Sequence, residues 1–219
     1  MMLVMDSFSP DRTGRAGRPT AQQAQARHAQ LLDTALDMFL DKGFELTTME
    51  GIAAAVGMTK RTIYARYPEK AALFLAAVSR AIERTATRPD AMRAVESDDL
   101  EATLIALARL RIADLSTPEG VRLRRIVTTE SYRFPEILML SYDHGARPVA
   151  DYLVDLLRRH DSAGAVCVAR PDMAASLFLT MVLGGPVRLI ASPQAMSAAE
   201  IDDWVQAAVR LFLNGVRRT

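Results

Sequence analysis

The sequence predicts an all-α protein with two domains, a small N-terminal three-helix unit and a larger helical C-terminal domain. Half of the 219 residues are apolar but only 6% are aromatic, and alanine and leucine dominate. Apolar residues recur three and four positions apart along most of the chain, which is the spacing of one face of an α-helix. A chain of this length forms one or two domains with ample buried core.

The first helix is predicted from Arg27 to Lys42, and Gly43 ends it because glycine adopts a positive φ without a Cβ clash. The stretch from Thr47 to Lys70 then predicts two short helices. Apolar residues at i, i+3, i+4 and i+7 mark the first of them, and Gly57 follows it. We expect seven residues of these helices to share one small core: Leu36, Phe39, Phe44, Ile52, Val56, Ile63 and Tyr67.

Capping residues indicate where the two short helices begin, and charged residues indicate which surface the second one exposes. Thr47 and Glu50 have capping-box spacing, and Thr59 is a suitable N-cap for the second helix. That second helix carries a polar surface with three cations and no acid: Lys60, Arg61, Thr62, Tyr64 and Arg66. Two helices joined by a tight turn, the second one basic, indicate a helix-turn-helix whose second helix enters the major groove of DNA.

The run TTMEGIAAAVGMTKRTIYARYPEKAALF resembles the DNA-binding signature of the TetR/AcrR family of transcriptional regulators, and the resemblance covers about residues 27–82. Two residues depart from this signature: family members more often have a small residue at the position of Arg61 and a polar residue at the position of Pro68. The residues at the leading end of the second helix are predicted to contact base edges or nearby phosphates: Lys60, Arg61 and Thr62. Backbone contacts are predicted for Tyr64, Arg66, Lys70, Thr47 and Thr48, with Lys70 placed there by the resemblance.

Residues 1–26 combine prolines and glycines with arginines, which predicts a flexible N-terminal arm. Two interpretations stay open. Arg15 and Arg18 reach phosphates or the minor groove beside the second helix, or the arm is a solvated tail.

The rest of the chain is predicted to be helical. Residues 27–87 form the DNA-binding domain with a linking helix from Glu69 to about Thr87, and residues 98–219 form an effector-binding and dimerisation domain. Pro118 and Pro135 open further helices, and Gly145 and Pro148 are expected to interrupt the second of these. The apolar run Met173–Val187 is too short to span a membrane and predicts burial between its own domain and a second subunit. With the last helix, Ala198 to Val216, it fits the family's dimerisation through two C-terminal helices.

The family resemblance implies an effector pocket for a small molecule. Candidates are Tyr132, Phe134, Met139, Tyr142, His144 and Met181, each with core packing or surface exposure as the alternative. The segments RIVTTESYRFPEIL and GGPVRLI resemble the ligand domain of the AefR-like subgroup.

An enzyme is not indicated. The acidic pairs Asp98-Asp99 and Asp202-Asp203 lack a further carboxylate in a matching motif, the three histidines lie far apart, and the single cysteine, Cys167, makes neither a disulfide nor a zinc cluster. No catalytic residue, metal or cofactor is therefore expected. The first residues lack the features of a signal peptide, so a cytoplasmic location without a membrane partner is expected.

Taken together, the predicted protein is a homodimeric, ligand-responsive repressor of a palindromic operator in double-stranded DNA. An activator, or a helical ligand-binding protein without DNA binding, remains the alternative.

Overall fold

The structure, a computed structural model, describes residues 20–190, 192 and 194–216, and every regular element in these ranges is helical. The N-terminal helices are α1 (Ala21–Leu46), α2 (Met49–Ala55), α3 (Lys60–Tyr64) and α4 (Lys70–Thr85). Next come α5 (Pro89–Ala94), α6 (Leu100–Leu115), α7 (Pro118–Glu130), α8 (Glu136–Leu140), a π-helical turn (Ser141–Ala146) and α9 (Arg147–Ser162). The chain continues with α10 (Pro171–Gly184), α11 (Pro186–Leu189) and α12 (Ala198–Val216).

Helix α1 begins six residues before the predicted start. Thr20 forms a capping box, because its hydroxyl accepts from Gln23 N (3.2 Å) while the Gln23 side chain accepts from Thr20 N (2.9 Å). Residues 21–26 of the predicted arm are therefore helical, and Arg15 and Arg18 lie outside the described residues. At the other end, Gly43 has φ 81° and kinks the chain before a last short turn, as its position predicted.

The seven residues predicted to share the N-terminal core do so. Leu36, Phe39, Ile52, Ile63 and Tyr67 are buried in one cluster, and Phe44 and Val56 pack against it partly buried. Helix α4 contributes more of this core than any neighbour, with six buried residues: Leu73, Phe74, Ala77, Val78, Ala81 and Ile82. The packing follows from the apolar stripes, because α2 packs on α1, α3 packs on α2, and both bury their stripes in this one cluster.

Helices α7 and α8 pack on this N-terminal core, although their position in the chain placed them in the predicted effector domain. Leu123, Ile126 and Ile137 are buried in the same cluster as α1 to α4. Two ion pairs tie α7 to the same helices: Arg84–Glu119 at 3.1 Å and Arg122–Asp37 at 2.8 Å. The physical unit that carries the helix-turn-helix therefore includes residues 118–140.

The C-terminal core is formed by α6, α9, α10 and α12, with Met92 of α5 buried against it. The predicted apolar run divides at Gly185, where the ring of Trp204 lies so close that an added Cβ would sit 2.8 Å from it. By length and composition the 19 residues Pro171–Leu189, with a mean hydropathy of 1.2, could cross a membrane, and a third of that window is buried. One such window is weak evidence of a span, because core helices of other proteins pass the same test, and this window covers two helices, α10 and α11.

The junction between the two cores contains a buried arginine. Arg111 donates to the carbonyls of Thr85 (3.4 Å) and Gly145 (3.1 Å) and to the hydroxyl of Thr87 (3.3 Å), and burial lowers its pKa. Gly145 lies in the π-helical turn, which runs directly into α9 instead of interrupting the helix as predicted. Arg111 therefore joins the end of α4, α6 and the π-helical turn at one point.

Candidate nucleic-acid interface

Helices α2 and α3 are set by their caps and by one glycine turn. The Thr48 hydroxyl accepts from Gly51 N (3.0 Å) at the start of α2, and the Thr59 hydroxyl accepts from Thr62 N (3.2 Å) at the start of α3. Gly57 has φ 63° between them, a backbone that residues with a Cβ rarely adopt. Buried Ile63 and Tyr67 then fix α3 and its following turn to the N-terminal core. The outer face of α3 is thereby held rigidly.

That outer face, taken together with Arg66 in the turn after α3, is exposed and basic, as the sequence predicted. Lys60, Arg61, Thr62, Tyr64 and Arg66 are all exposed, and no acidic residue occurs between positions 51 and 68. Lys60 pairs with Glu50 of α2 at 2.8 Å, and its hydrogen bond holds the pKa of that carboxyl below the usual range. Because such exposed ion pairs are weak, Lys60 can exchange Glu50 for a phosphate. Arg61 and Arg66 have no acidic partner among the described residues.

Thr47 does not lie on this face, which corrects its predicted role. The residue is fully buried, and its hydroxyl donates to the carbonyls of Met38 (2.9 Å) and Gly43 (2.8 Å). The cap of α2 is its neighbour Thr48, so the predicted capping box between Thr47 and Glu50 is wrong as well. Thr48 is exposed and stays a predicted backbone contact.

Lys70 also has a different role from the predicted phosphate contact. Its ammonium donates to the carbonyls of Phe44 (2.7 Å), Glu45 (3.1 Å) and Thr47 (3.0 Å) and lies 4.4 Å from the centre of the Phe44 ring. An ammonium has three donors, and all three are used here. Lys70 therefore fastens the segment that leads from the Gly43 kink into α2.

A contact between α1 and the end of the helix-turn-helix has no sequence signal, because 39 residues separate its partners. His28 Nε2 lies 2.6 Å from the Tyr67 hydroxyl, and the two rings are nearly parallel. Burial lowers the pKa of His28, and the positive charges of Arg66 and Arg80 lower it further. The contact holds the N-terminal half of α1 beside the turn that follows α3.

The six residues predicted to line an effector pocket do not come together. Tyr132, Met139, Tyr142 and His144 are exposed, and Met181 is partly buried in the C-terminal core. Phe134 packs instead on the N-terminal aromatic rings, 4.9 Å from Phe44 and 5.2 Å from Phe74 between ring centres. The structure therefore divides this set between exposed positions and the two cores, and its pocket role stays a prediction. Within the described ranges, no three His, Cys, Asp or Glu side chains cluster closely enough to hold a metal ion.

Two family models match the chain. The model of bacterial regulatory proteins of the tetR family matches residues 31–77, and the model of the AefR-like transcriptional repressor C-terminal domain matches residues 102–215. The HTH-type transcriptional repressor Rv1474c of Mycobacterium tuberculosis is 28% identical over 188 residues, which cover 84% of this chain and 94% of that protein. Other mycobacterial HTH-type regulators are 34% identical over 76 residues, and there the chain spans only 38% of their length.

Solved structures show the same architecture over nearly the whole described chain. A crystal structure described as a TetR-family transcriptional regulator from Mesorhizobium loti superposes with a TM-score of 0.74 at 26% identity, covering 89% of this chain and 98% of that one. A structure described as the flavonoid-responsive regulator FrrA superposes with a TM-score of 0.71 at 27% identity and with the same coverage.

Proposed function

Because the chain belongs to the TetR family of bacterial transcriptional regulators, with a C-terminal domain of the AefR-like type, we propose that it is a ligand-responsive repressor that binds an inverted-repeat operator as a homodimer. Members of this family are DNA-binding regulators and not enzymes, and this chain is one of them. The observation that carries the proposal is the outer face of α3 and of the turn after it, where Arg61 and Arg66 are exposed without acidic partners among the described residues. A regulator of this kind acts in the cytoplasm, where bacterial DNA lies.

The proposed contacts with DNA follow from the geometry of α3. Its leading residues Lys60, Arg61 and Thr62 meet base edges or adjacent phosphates, because the N-terminal end of a recognition helix points into the major groove. Tyr64 and Arg66, together with Thr48 at the start of α2, contact the sugar-phosphate backbone and fix the register. Two copies related by a two-fold axis read the two halves of an inverted repeat, about 34 Å apart.

Homodimerisation is proposed through α10 and α12. Met173 and Leu177 lie one turn apart on α10, while Trp204 and Leu211 lie two turns apart on α12, and all four are exposed large apolar side chains. Exposed apolar faces on two helices that pack together are typical of subunit interfaces. This surface also explains why residues 171–189 are apolar enough to resemble a membrane span.

The ligand response is proposed to act on the orientation of the two α3 helices. A ligand shifts a dimer between two arrangements only by its different affinity for each, and the favoured arrangement then determines operator affinity. Because FrrA is described as flavonoid-responsive and covers 89% of this chain in the superposition, flavonoids are the first compounds to screen. Repression, rather than activation, is proposed because Rv1474c is described as a repressor.

The test is binding of the purified protein to DNA from around its own coding region, at two salt concentrations and with nonspecific competitor. We expect tight, competitor-resistant binding that weakens steeply with salt, since phosphate contacts release counterions. Tyr64→Ala is expected to abolish operator binding while the protein stays folded, and Tyr132→Ala, which removes a fully exposed tyrosine on the C-terminal side of α7, serves as the matched control. Normal operator binding by Tyr64→Ala would contradict the proposed role of α3.

A further inference from the structure

A groove of about 380 Å³ lies between the N-terminal half of α1 and the helix-turn-helix. Its lining includes the apolar side chains of Leu31 and Met58, and its polar groups include Arg27 and His28 of α1 together with Thr62 and Arg66. No acidic residue lines it. The groove is therefore a concave, positively charged surface.

The groove is continuous with the outer face of α3. Thr62 belongs to both surfaces, because it is exposed at the leading end of α3 and also lines the groove. Arg27 is the chain neighbour of His28, Arg66 is the chain neighbour of Tyr67, and both arginines line the groove. The 2.6 Å distance in that contact brings the two arginine-bearing segments together.

The arginines at this groove differ from other arginines of the N-terminal domain in that they have no acidic partner among the described residues. Arg80 and Arg84 face acidic side chains, with Asp33 as a shared partner at 3.0 and 2.9 Å. Arg27 and Arg66 are exposed and have no acidic partner among the described residues. Two unpaired guanidinium groups at one groove, beside a DNA-facing helix, match the chemistry of a phosphodiester, since guanidinium binds phosphate oxygens through paired donors.

We propose that Arg27 of α1 and Arg66 together hold one phosphate of the operator backbone at this groove, so that the DNA interface extends from α3 onto α1. The inference rests on the proposed function and adds to it a binding residue, Arg27, outside the helix-turn-helix. The groove positions the DNA without reading its sequence, because phosphate contacts carry no base information.

The test compares Arg27→Gln with the wild-type protein on a 20-base-pair operator duplex and on a nonspecific duplex of equal length, from 0.05 to 0.3 M salt. One phosphate contact contributes about 0.9 to the slope of log K against log salt, which corresponds to roughly a fivefold to eightfold affinity loss near 0.1–0.15 M. We expect this loss on both duplexes, and we expect Arg27→Lys to keep the slope. Arg93→Gln on α5, an exposed arginine on a helix that packs against α9, is the matched control.

Unchanged affinity and slope for Arg27→Gln would overturn the inference, and so would a loss of affinity with an unchanged slope. The double variant with Arg66→Gln is expected to lose less than the product of the two single losses, because both side chains hold one phosphate. A loss equal to the product would overturn the shared site. Failure of the wild-type protein to discriminate operator from nonspecific DNA would count against the proposed function instead, and the nonspecific duplex would still test Arg27.

Discussion

Replacement of Lys70 by methionine tests whether this lysine fastens the segment before α2 or contacts DNA. Methionine keeps most of the apolar stem and removes the ammonium, and with it three hydrogen bonds to main-chain carbonyls and the contact with the Phe44 ring. Glu45 is exposed, so part of this segment can bond to water after the substitution. The free-energy contributions of the three hydrogen bonds are therefore not added together.

The expected loss of stability follows from these contacts. A hydrogen bond from a charged donor contributes about 1.5–3 kcal/mol net, and a cation over an aromatic ring adds about 0.5–1 kcal/mol. We therefore expect the free energy of unfolding to fall by about 2–4 kcal/mol. For a chain of this size each kcal/mol lowers Tm by about 2–4 °C, so the fall in Tm is about 4–16 °C.

Two assays separate the two roles of Lys70. Thermal unfolding followed by circular dichroism measures stability, and the salt dependence of DNA binding counts phosphate contacts. A structural Lys70 gives the loss of Tm with an unchanged salt slope, whereas a phosphate contact lowers the slope by about 0.9. Lys42→Met, at an exposed lysine near the end of α1, is expected to change Tm little. An unchanged Tm together with a smaller slope for Lys70→Met would refute the reasoning.

Three further substitutions follow from the packing. Phe134→Ala is expected to cost about 2–4 kcal/mol, measured by urea unfolding, because its partly buried ring packs on the N-terminal aromatic rings. His28 has a lowered pKa, so its neutral form is favoured in the folded state and stability is lost as pH falls below about 6.5. His28→Gln is therefore expected to reduce the fall in Tm between pH 7.5 and 5.5. Gly185→Ala places a Cβ 2.8 Å from the Trp204 ring and is expected to cost about 1–3 kcal/mol, measured by thermal unfolding.

Matched substitutions make these outcomes interpretable. Tyr132→Ala removes a fully exposed ring close to Phe134 in the chain and should leave stability nearly unchanged. Gly184→Ala adds a Cβ with no atom within 4 Å, next to the position where the added Cβ meets Trp204. Equal effects at the two glycines would contradict the close contact with Trp204. An identical pH response in the wild-type protein and His28→Gln would contradict the role assigned to that histidine.

The helix-turn-helix could be predicted from sequence because its determinants are local. Gly43 and Gly57 both have positive φ, and the residues at helical spacing are buried in the expected core. The same local reasoning failed at the adjacent threonines Thr47 and Thr48. Either threonine stands close enough to the first turn of α2 to be its N-cap, and the structure uses Thr48. The Thr47 hydroxyl instead donates to the carbonyls of Met38 and Gly43, which the kink at Gly43 brings near.

The burial of the candidate pocket residues could not be predicted because residue type does not fix burial in short helices. Met139 and Tyr142 have the soft and aromatic side chains typical of ligand sites, yet both are exposed. Their surroundings depend on how α8 and the π-helical turn lie against α4, a tertiary arrangement with no spacing signal in the sequence. Arg111 was missed for the same reason, since its acceptors belong to residues 24 to 34 positions away.

The packing of α7 and α8 on the N-terminal core crosses the predicted boundary between the two domains, and of all these features it bears most on function. Sequence reasoning placed that boundary at the proline-containing segment after residue 87, but Phe134 and the buried residues of α7 and α8 belong to the core that holds α2 and α3. Arg133 stacks on the Phe44 ring at 4.6 Å and forms an ion pair with Glu45, both in the segment that leads into α2. A displacement of α7 relative to α1 must therefore disturb the same segment that Lys70 fastens. Because packed cores move between discrete arrangements rather than deforming gradually, residues 118–140 form a second connection to the helix-turn-helix beside α4, on which α7 and α8 pack.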